Sequence, residues 1–227
     1  MRSPLPRFFL ILLLTWSAAI PPRVLAQSAG EYRQQGLALR EQERLPAAIA
    51  ALQKAVELDP TNLSGRVLLG WTQHLAGQRS AAITTLLDTL RINDRYVPAL
   101  NALGIVYLVE GNLTWAVITH NLARLLKPNN EIAYYNLSLA YHRLQLYDWA
   151  IRDARQAALI EPYNPHPLIA EAIAQWDQGN LSRSRQIYER ATALKSQYGD
   201  RAYLDELARA GFSPGQIQVA AAILKTP

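Results

Sequence analysis

From residue 29 to the end of the chain, apolar and polar positions alternate with a helical rhythm. Ala48, Ile49, Leu52, Ala55 and Val56, or Ala116, Val117, Leu122, Ala123 and Leu126, gather apolar side chains on one helical face and leave the opposite face polar. Punctuation divides this rhythm into pairs of helices. Gly77, Gly111 and Gly179 mark the end of a first helix, where the backbone needs a residue tolerant of positive φ. Pro60, Pro128 and Pro162 mark the end of a second, because proline cannot continue the hydrogen-bond ladder.

The pairs recur with a period of 34 residues and no insertion. With repeats at 29–62, 63–96, 97–130, 131–164 and 165–198, the eighth position holds Gly36, Gly70, Gly104, Ser138 and Ala172. The twentieth holds Ala48, Ala82, Ala116, Ala150 and Ser184, and the twenty-seventh holds Ala55, Thr89, Ala123, Ala157 and Ala191. Two antiparallel helices approach closely only where the side chains at their crossing are small, so the period is a packing requirement. Asp94 and Ser196 replace the boundary proline in the second and fifth repeats, which marks those boundaries less sharply.

Leu103-Gly104, Tyr107, Ala116, Ala123 and Pro128 in the third repeat, with Tyr134, Leu137, Tyr141, Ala150, Ala157 and Pro162 in the fourth, resemble the signature of the tetratricopeptide repeat family. Leu100, Gln35, Gln73 and Glu171 depart from it. The resemblance implies an all-α, right-handed α-solenoid of five helix-turn-helix repeats. Residues 199–227 do not form a sixth repeat, but Arg201 to Ala210 and Pro214 to Leu224 read as helices, the latter opened by a capping box of Ser213 and Gln216. An end repeat needs cover for the face its missing neighbour would bury, so 199–227 is expected to be a C-terminal capping helix pair, with Ile217, Ala220, Ala221 and Leu224 as the lid.

The resemblance further implies that first helices line a concave groove. Its inward positions are Val67, Trp71 and His74; Asn101, Ile105 and Leu108; Tyr135, Asn136, Leu139 and His142; and His166, Ile169, Ile173 and Trp176. This lining is apolar and aromatic with a few amides and imidazoles, which suits a hydrophobic peptide or an amphipathic helix, with Trp71, Tyr135 and Trp176 as anchors. A carboxylate clamp of the kind some family members carry is not expected. Asn136 stands where one of its residues would, but Asn101, Ile105, His166 and Ala170 replace the others. Trp115 and Trp149 occupy one position on two adjacent second helices and form a candidate second surface on the outer face.

Chemistry other than binding finds little support. The chain has no cysteine, no glycine-rich phosphate loop and no nucleophile elbow, so no catalytic residue, cofactor or enzymatic activity is expected. His74, His142 and His166 are too far apart along the repeats to share a metal, and His120 stands at a core position of a second helix. Four Asn-x-Ser/Thr sequons occur, at Asn62, Asn112, Asn136 and Asn180; Asn112 and Asn180 read as helix-start residues.

The first 26 residues change the charge argument. Arg2 and Arg7 precede an apolar run from Phe8 to Ile20, and Val24-Leu25-Ala26 offers a small-residue exit, the pattern of a secretory signal peptide cleaved after Ala26. That run is too short to span a bilayer, which takes about 20 apolar residues. Losing Arg2, Arg7 and Arg23 and no acid lowers the formal charge from +5 to +2. No basic run interleaved with aromatics remains, so nucleic-acid binding is not expected. The sequence therefore points to an exported protein of a periplasm, an equivalent lumen or the exterior, binding a protein or peptide partner as an adaptor or assembly factor. The alternative is a periplasmic substrate-binding chaperone or carrier.

Overall fold

A computed structural model describes residues 27–225. The proposed signal peptide and its cleavage site lie outside them. Within this range α-helices form five antiparallel pairs: α1 (Ala29–Glu41) with α2 (Leu45–Leu58), α3 (Leu63–Leu75) with α4 (Arg79–Ile92), α5 (Val97–Val109) with α6 (Leu113–Leu126), α7 (Glu131–Arg143) with α8 (Tyr147–Ile160), and α9 (Pro165–Asp177) with α10 (Leu181–Leu194). Each pair stacks on the next, giving the all-helical solenoid that the small-residue period predicts.

The period has a direct steric cause. A Cβ on Gly36 would lie 2.6 Å from Leu52 Cγ, on Gly70 2.9 Å from Leu86 Cγ, and on Gly104 2.5 Å from His120 Nε2. The residue sixteen places later, on the second helix, thus fills the space that glycine leaves on the first. In the fourth and fifth repeats the larger Ser138 and Ala172 occupy the glycine site, and the same places on the second helices hold Ala154 and Tyr188. Ser184 Oγ also donates a 2.7 Å hydrogen bond to the Ala172 carbonyl, so the small-residue sites pair with one another across the two helices.

Gly77, Gly111 and Gly179 have φ of 74°, 80° and 94°, as their helix-ending positions require. The same turn in the first and fourth repeats is made by Glu43 and Gln145, at φ of 58° and 60°. Asn112 and Asn180 stand at the helix starts expected of them, but the asparagine side chains differ in whether they cap. Asn62 accepts from the Gly65 N–H at 2.9 Å, whereas Asn112 and Asn180 stand at helix starts without a capping hydrogen bond from their side chains.

After α10 the chain reverses through a short 3₁₀ helix, Ser196–Gly199, and a longer one, Arg201–Ala210, before Gly211 at φ 86° leads into α11 (Pro214–Lys225). The capping box forms: Ser213 N–H donates to Gln216 Oε1 at 2.9 Å and Gln216 N–H to Ser213 Oγ at 3.4 Å. α11 lies against α9 and α10, and its deepest residues are Gln216, Ala220 and Ile223, with Ile217, Ala221 and Leu224 partly buried beside them. The segment Arg201–Ala210 is 3₁₀ rather than α-helical, a tighter winding that places Leu204 and Leu207 on the buried side.

Candidate functional site

The first helices α3, α5, α7 and α9 carry the inward positions, and the structure divides them into an open part and a covered part. The open part is a cleft of ≈ 430 Å³ whose walls include Trp71 and His74 on α3, Ile105 on α5, Ile132 on α7, and Arg209 and Gly211 from the C-terminal segment. The Trp71 and His74 rings meet at a 40° tilt with centroids 5.1 Å apart. Burial pulls the His74 pKa below its ordinary value, ahead of a smaller opposing effect of Glu110, so the imidazole is neutral at neutral pH. The wall is therefore apolar and uncharged on the α3 side. Val67 packs in the same cluster as Trp71, against Leu86 and Leu103.

The covered part corrects the expectation of a groove open along its whole length. Tyr135, Leu139 and Ile173 are buried in the cluster that the chain's own C-terminal segment joins, Asn136 lies beside Gly211, and His142 is buried beside Asp177 and Tyr147. Tyr135 OH donates to the Ala210 carbonyl at 2.6 Å, its ring meets the edge of Phe212 at 6.1 Å, and Gln216 Nε2 donates to the Leu139 carbonyl at 3.3 Å. A Cβ on Gly211 would sit 3.6 Å from Leu139 Cδ1. Leu108, Leu139, Ile169, Ile173, Leu204, Leu207, Phe212 and Ile223 belong to one continuous hydrophobic cluster, against which Trp176 is packed half-buried. Tyr135, expected as an anchor for a partner, holds the chain's own tail.

Polar inward residues are also engaged internally. Asn101 and Asn130 exchange amide hydrogen bonds of 3.2 and 2.8 Å, which ties the third repeat to the loop entering the fourth. His142 Nε2 lies 2.9 Å from Asp177 Oδ2, with its pKa lowered by burial more than the carboxylate raises it. His166 shares a 2.7 Å hydrogen bond with Tyr198 OH in the reversal after α10. His120 is fully buried against Gly104, and burial takes its pKa down to about 3. Among the described residues no three His, Asp or Glu side chains are grouped to hold a metal ion.

Two acidic residues have surroundings that the sequence does not announce. Glu131, at the start of α7 on the wall of the open cleft, has its pKa pushed up to about 7 by burial and, secondarily, by Glu161. Glu171, where the family pattern has leucine, is buried and receives a 2.7 Å ion-paired hydrogen bond from Arg155. Such pairing joins residues of different helices, and one chain's local pattern does not announce it.

On the outer face Trp115 and Trp149 are 54% and 47% exposed. Trp115 heads a stripe on α6 continued by Ile118, Leu122 and Leu125, all solvent-facing, whereas Arg152 lies over the Trp149 ring at 4.1 Å. Among the described residues no helix is long and apolar enough to cross a membrane.

Comparison with known proteins agrees with this architecture. Residues 36–77 match a family model described as TPR repeat, and residues 132–164 one described as tetratricopeptide repeat. Over 65 residues, 29% of this chain, the sequence is 35% identical to Tetratricopeptide repeat protein 28 of Homo sapiens, and over 104 residues, 46% of it, 27% identical to Anaphase-promoting complex subunit 3 of Schizosaccharomyces pombe. The matches span only 3% and 16% of those two proteins. Among solved structures, a thermophilic TPR protein of Thermus thermophilus superimposes with a TM-score of 0.64 at 21% identity, covering 81% of this chain and 98% of that one. MamA residues 41 to the end from Desulfovibrio magneticus RS-1 gives 0.66 at 16% identity, covering 74% and 96%. These structures share the fold.

Proposed function

We propose that this tetratricopeptide-repeat chain is an exported adaptor or assembly factor that holds an apolar peptide or amphipathic helix of a partner protein in the cleft between α3, α5 and α7. The observation that carries the reading is the cleft itself: Trp71, His74, Ile105 and Ile132 line a concave space of ≈ 430 Å³ with aromatic and aliphatic surface. Apolar clefts with a few polar groups are where peptides and helices dock, and buried aromatics supply much of the binding free energy at such contacts. Export rests on the arginine-flanked apolar run of residues 1–26. The function is binding rather than catalysis, in keeping with a family whose members mediate protein–protein interaction.

The test is affinity capture of tagged residues 27–227 from the native organism, comparing wild type with a Trp71→Ala, Ile105→Ala variant by mass spectrometry. A stoichiometric partner present with wild type and lost with the variant supports the reading. Equal recovery with both removes the cleft as the site. Export is checked separately by N-terminal sequencing of the protein from the extracytoplasmic fraction, where a start at Gln27 is expected and an intact Met1 in the cytoplasm would refute it.

A further inference from the structure

We infer that the inner face of the fourth and fifth repeats is a helix-binding site occupied in this structure by the chain's own residues 200–225, which act as a displaceable internal ligand for a partner segment of the same pattern. A simple end cap has to cover only the last repeat. This segment goes further: Ala210, Gly211, Phe212 and Gln216 reach back to Tyr135, Asn136 and Leu139 of the fourth repeat, whose neighbour is already in place. The residues it covers are groove positions, and it treats them as a peptide ligand would. Apolar anchors go into the groove, one main-chain carbonyl meets the Tyr135 hydroxyl, and one side-chain amide meets the Leu139 carbonyl.

Three properties make the segment separable from the repeats. Its first half is a ten-residue 3₁₀ run, Arg201–Ala210, whereas such helices rarely exceed three or four residues because their hydrogen bonds are poorly aligned. The five helix pairs contact one another directly, so their stacking does not pass through the segment. Its charges cancel, with Asp200, Asp205 and Glu206 against Arg201, Arg209 and Lys225, so no net charge of its own ties it to the groove, and Lys195 lies over its Tyr203 ring at 5.1 Å. A competing segment therefore needs two apolar residues three apart, like Leu204 and Leu207, an aromatic five residues on, like Phe212, and little net charge.

This inference rests on the groove reading only for the identity of the competitor, and its test uses no outside partner and alters none of Trp71, His74 and Ile105. Hydrogen–deuterium exchange of the chain should show residues 201–225 exchanging as a unit ahead of α7 to α10. Leu207→Ala with Phe212→Ala should raise exchange across 201–225 at least tenfold while α7 to α10 keep their protection. A fluorescein-labelled peptide of residues 200–227 should then bind this variant at least tenfold more tightly than wild type, and Tyr135→Ala added to it should weaken that binding. Loss of protection in α9 and α10 together with the segment would show one cooperative unit and overturn the inference. So would the absence of peptide binding by a variant whose repeats remain protected.

Discussion

Gly104→Ala tests the packing rule that sets the 34-residue period, because its effect should change sign with the residue opposite. The new Cβ would lie 2.5–2.7 Å from Nε2, Cε1 and Cδ2 of the fully buried His120 ring, so the ring has to retreat by about 1 Å to regain ordinary carbon contact distances near 3.5 Å. Overpacking of this kind costs about 1–3 kcal/mol, and some of it is offset by about 1 kcal/mol of better helix propensity for alanine over glycine. Net destabilisation should reach up to about 2 kcal/mol. His120→Ala alone removes the ring and leaves a cavity, costing about 2–4 kcal/mol. In that background Gly104→Ala meets no ring, keeps its propensity gain and partly fills the space, so it should stabilise by about 0.5–1 kcal/mol. The double variant resembles the Ser138 and Ala154 pair already present in the fourth repeat. Thermal and urea unfolding by far-ultraviolet circular dichroism of the four proteins reads the coupling. Equal and additive effects of Gly104→Ala in both backgrounds would refute the steric account.

Other consequences follow from the same geometry. Gln145→Gly relieves a left-handed backbone position at φ 60° and should stabilise by about 0.5–1 kcal/mol, whereas Gly111→Ala at φ 80° should destabilise by about 1 kcal/mol; unfolding midpoints check both. Arg155→Ala leaves the buried Glu171 carboxylate unpaired and should cost about 1–3 kcal/mol in thermal unfolding, with Glu171→Leu in the same background restoring much of it. Because burial raises the Glu131 pKa from its ordinary value of 4.5 to about 7, its contribution to stability is complete below 4.5 and lost as pH rises through 7. Unfolding midpoints should therefore show a decline between about pH 5 and 8 that Glu131→Gln diminishes; an unchanged pH profile in that variant would refute the assignment.

The repeat was legible because it rests on volume. A glycine facing Leu52, Leu86 or His120 is demanded by contact between two helices only a short turn apart, so the sequence carries the constraint at fixed spacing. The left-handed turns were legible only where glycine makes them. Glu43 and Gln145 adopt the same conformation with side chains that ordinarily avoid it, held there by the helix pairs on either side. The tail was legible as an amphipathic cover but not as an occupant of the groove. Periodicity marks Ile217, Ala220, Ala221 and Leu224 as the lid, yet the structure buries Gln216, Ala220 and Ile223 deepest on α11 and Leu204 and Leu207 before it, and periodicity does not say which of two available apolar faces receives them. That choice depends on the reversal at Ser196–Gly199 and on contacts such as Tyr135 with Ala210, 75 residues apart in sequence.

The open cleft and the filled groove share a wall, which couples them. Tyr135 and Asn136 line the cleft and also touch Ala210 or Gly211 of the seated tail. With helices about 10 Å apart, the path from α3 across α5 to α7 is about 20 Å long, enough for about 13 residues of an α-helix at roughly 1.5 Å each. A ligand of that length rests against Ala208–Gly211 and gains contacts only while the tail is seated, so it strengthens the tail's hold. A longer ligand has to pass Tyr135 into the space of Phe212, and it binds only as the tail leaves. Linkage makes the two cases opposite in sign: whatever affinity the ligand gains from a seated or released tail, the tail's equilibrium shifts by the same factor. Exchange protection of residues 201–225 should therefore rise on adding the short ligand and fall on adding the long one. The same response to both would mean that Tyr135 does not connect the two halves of the groove.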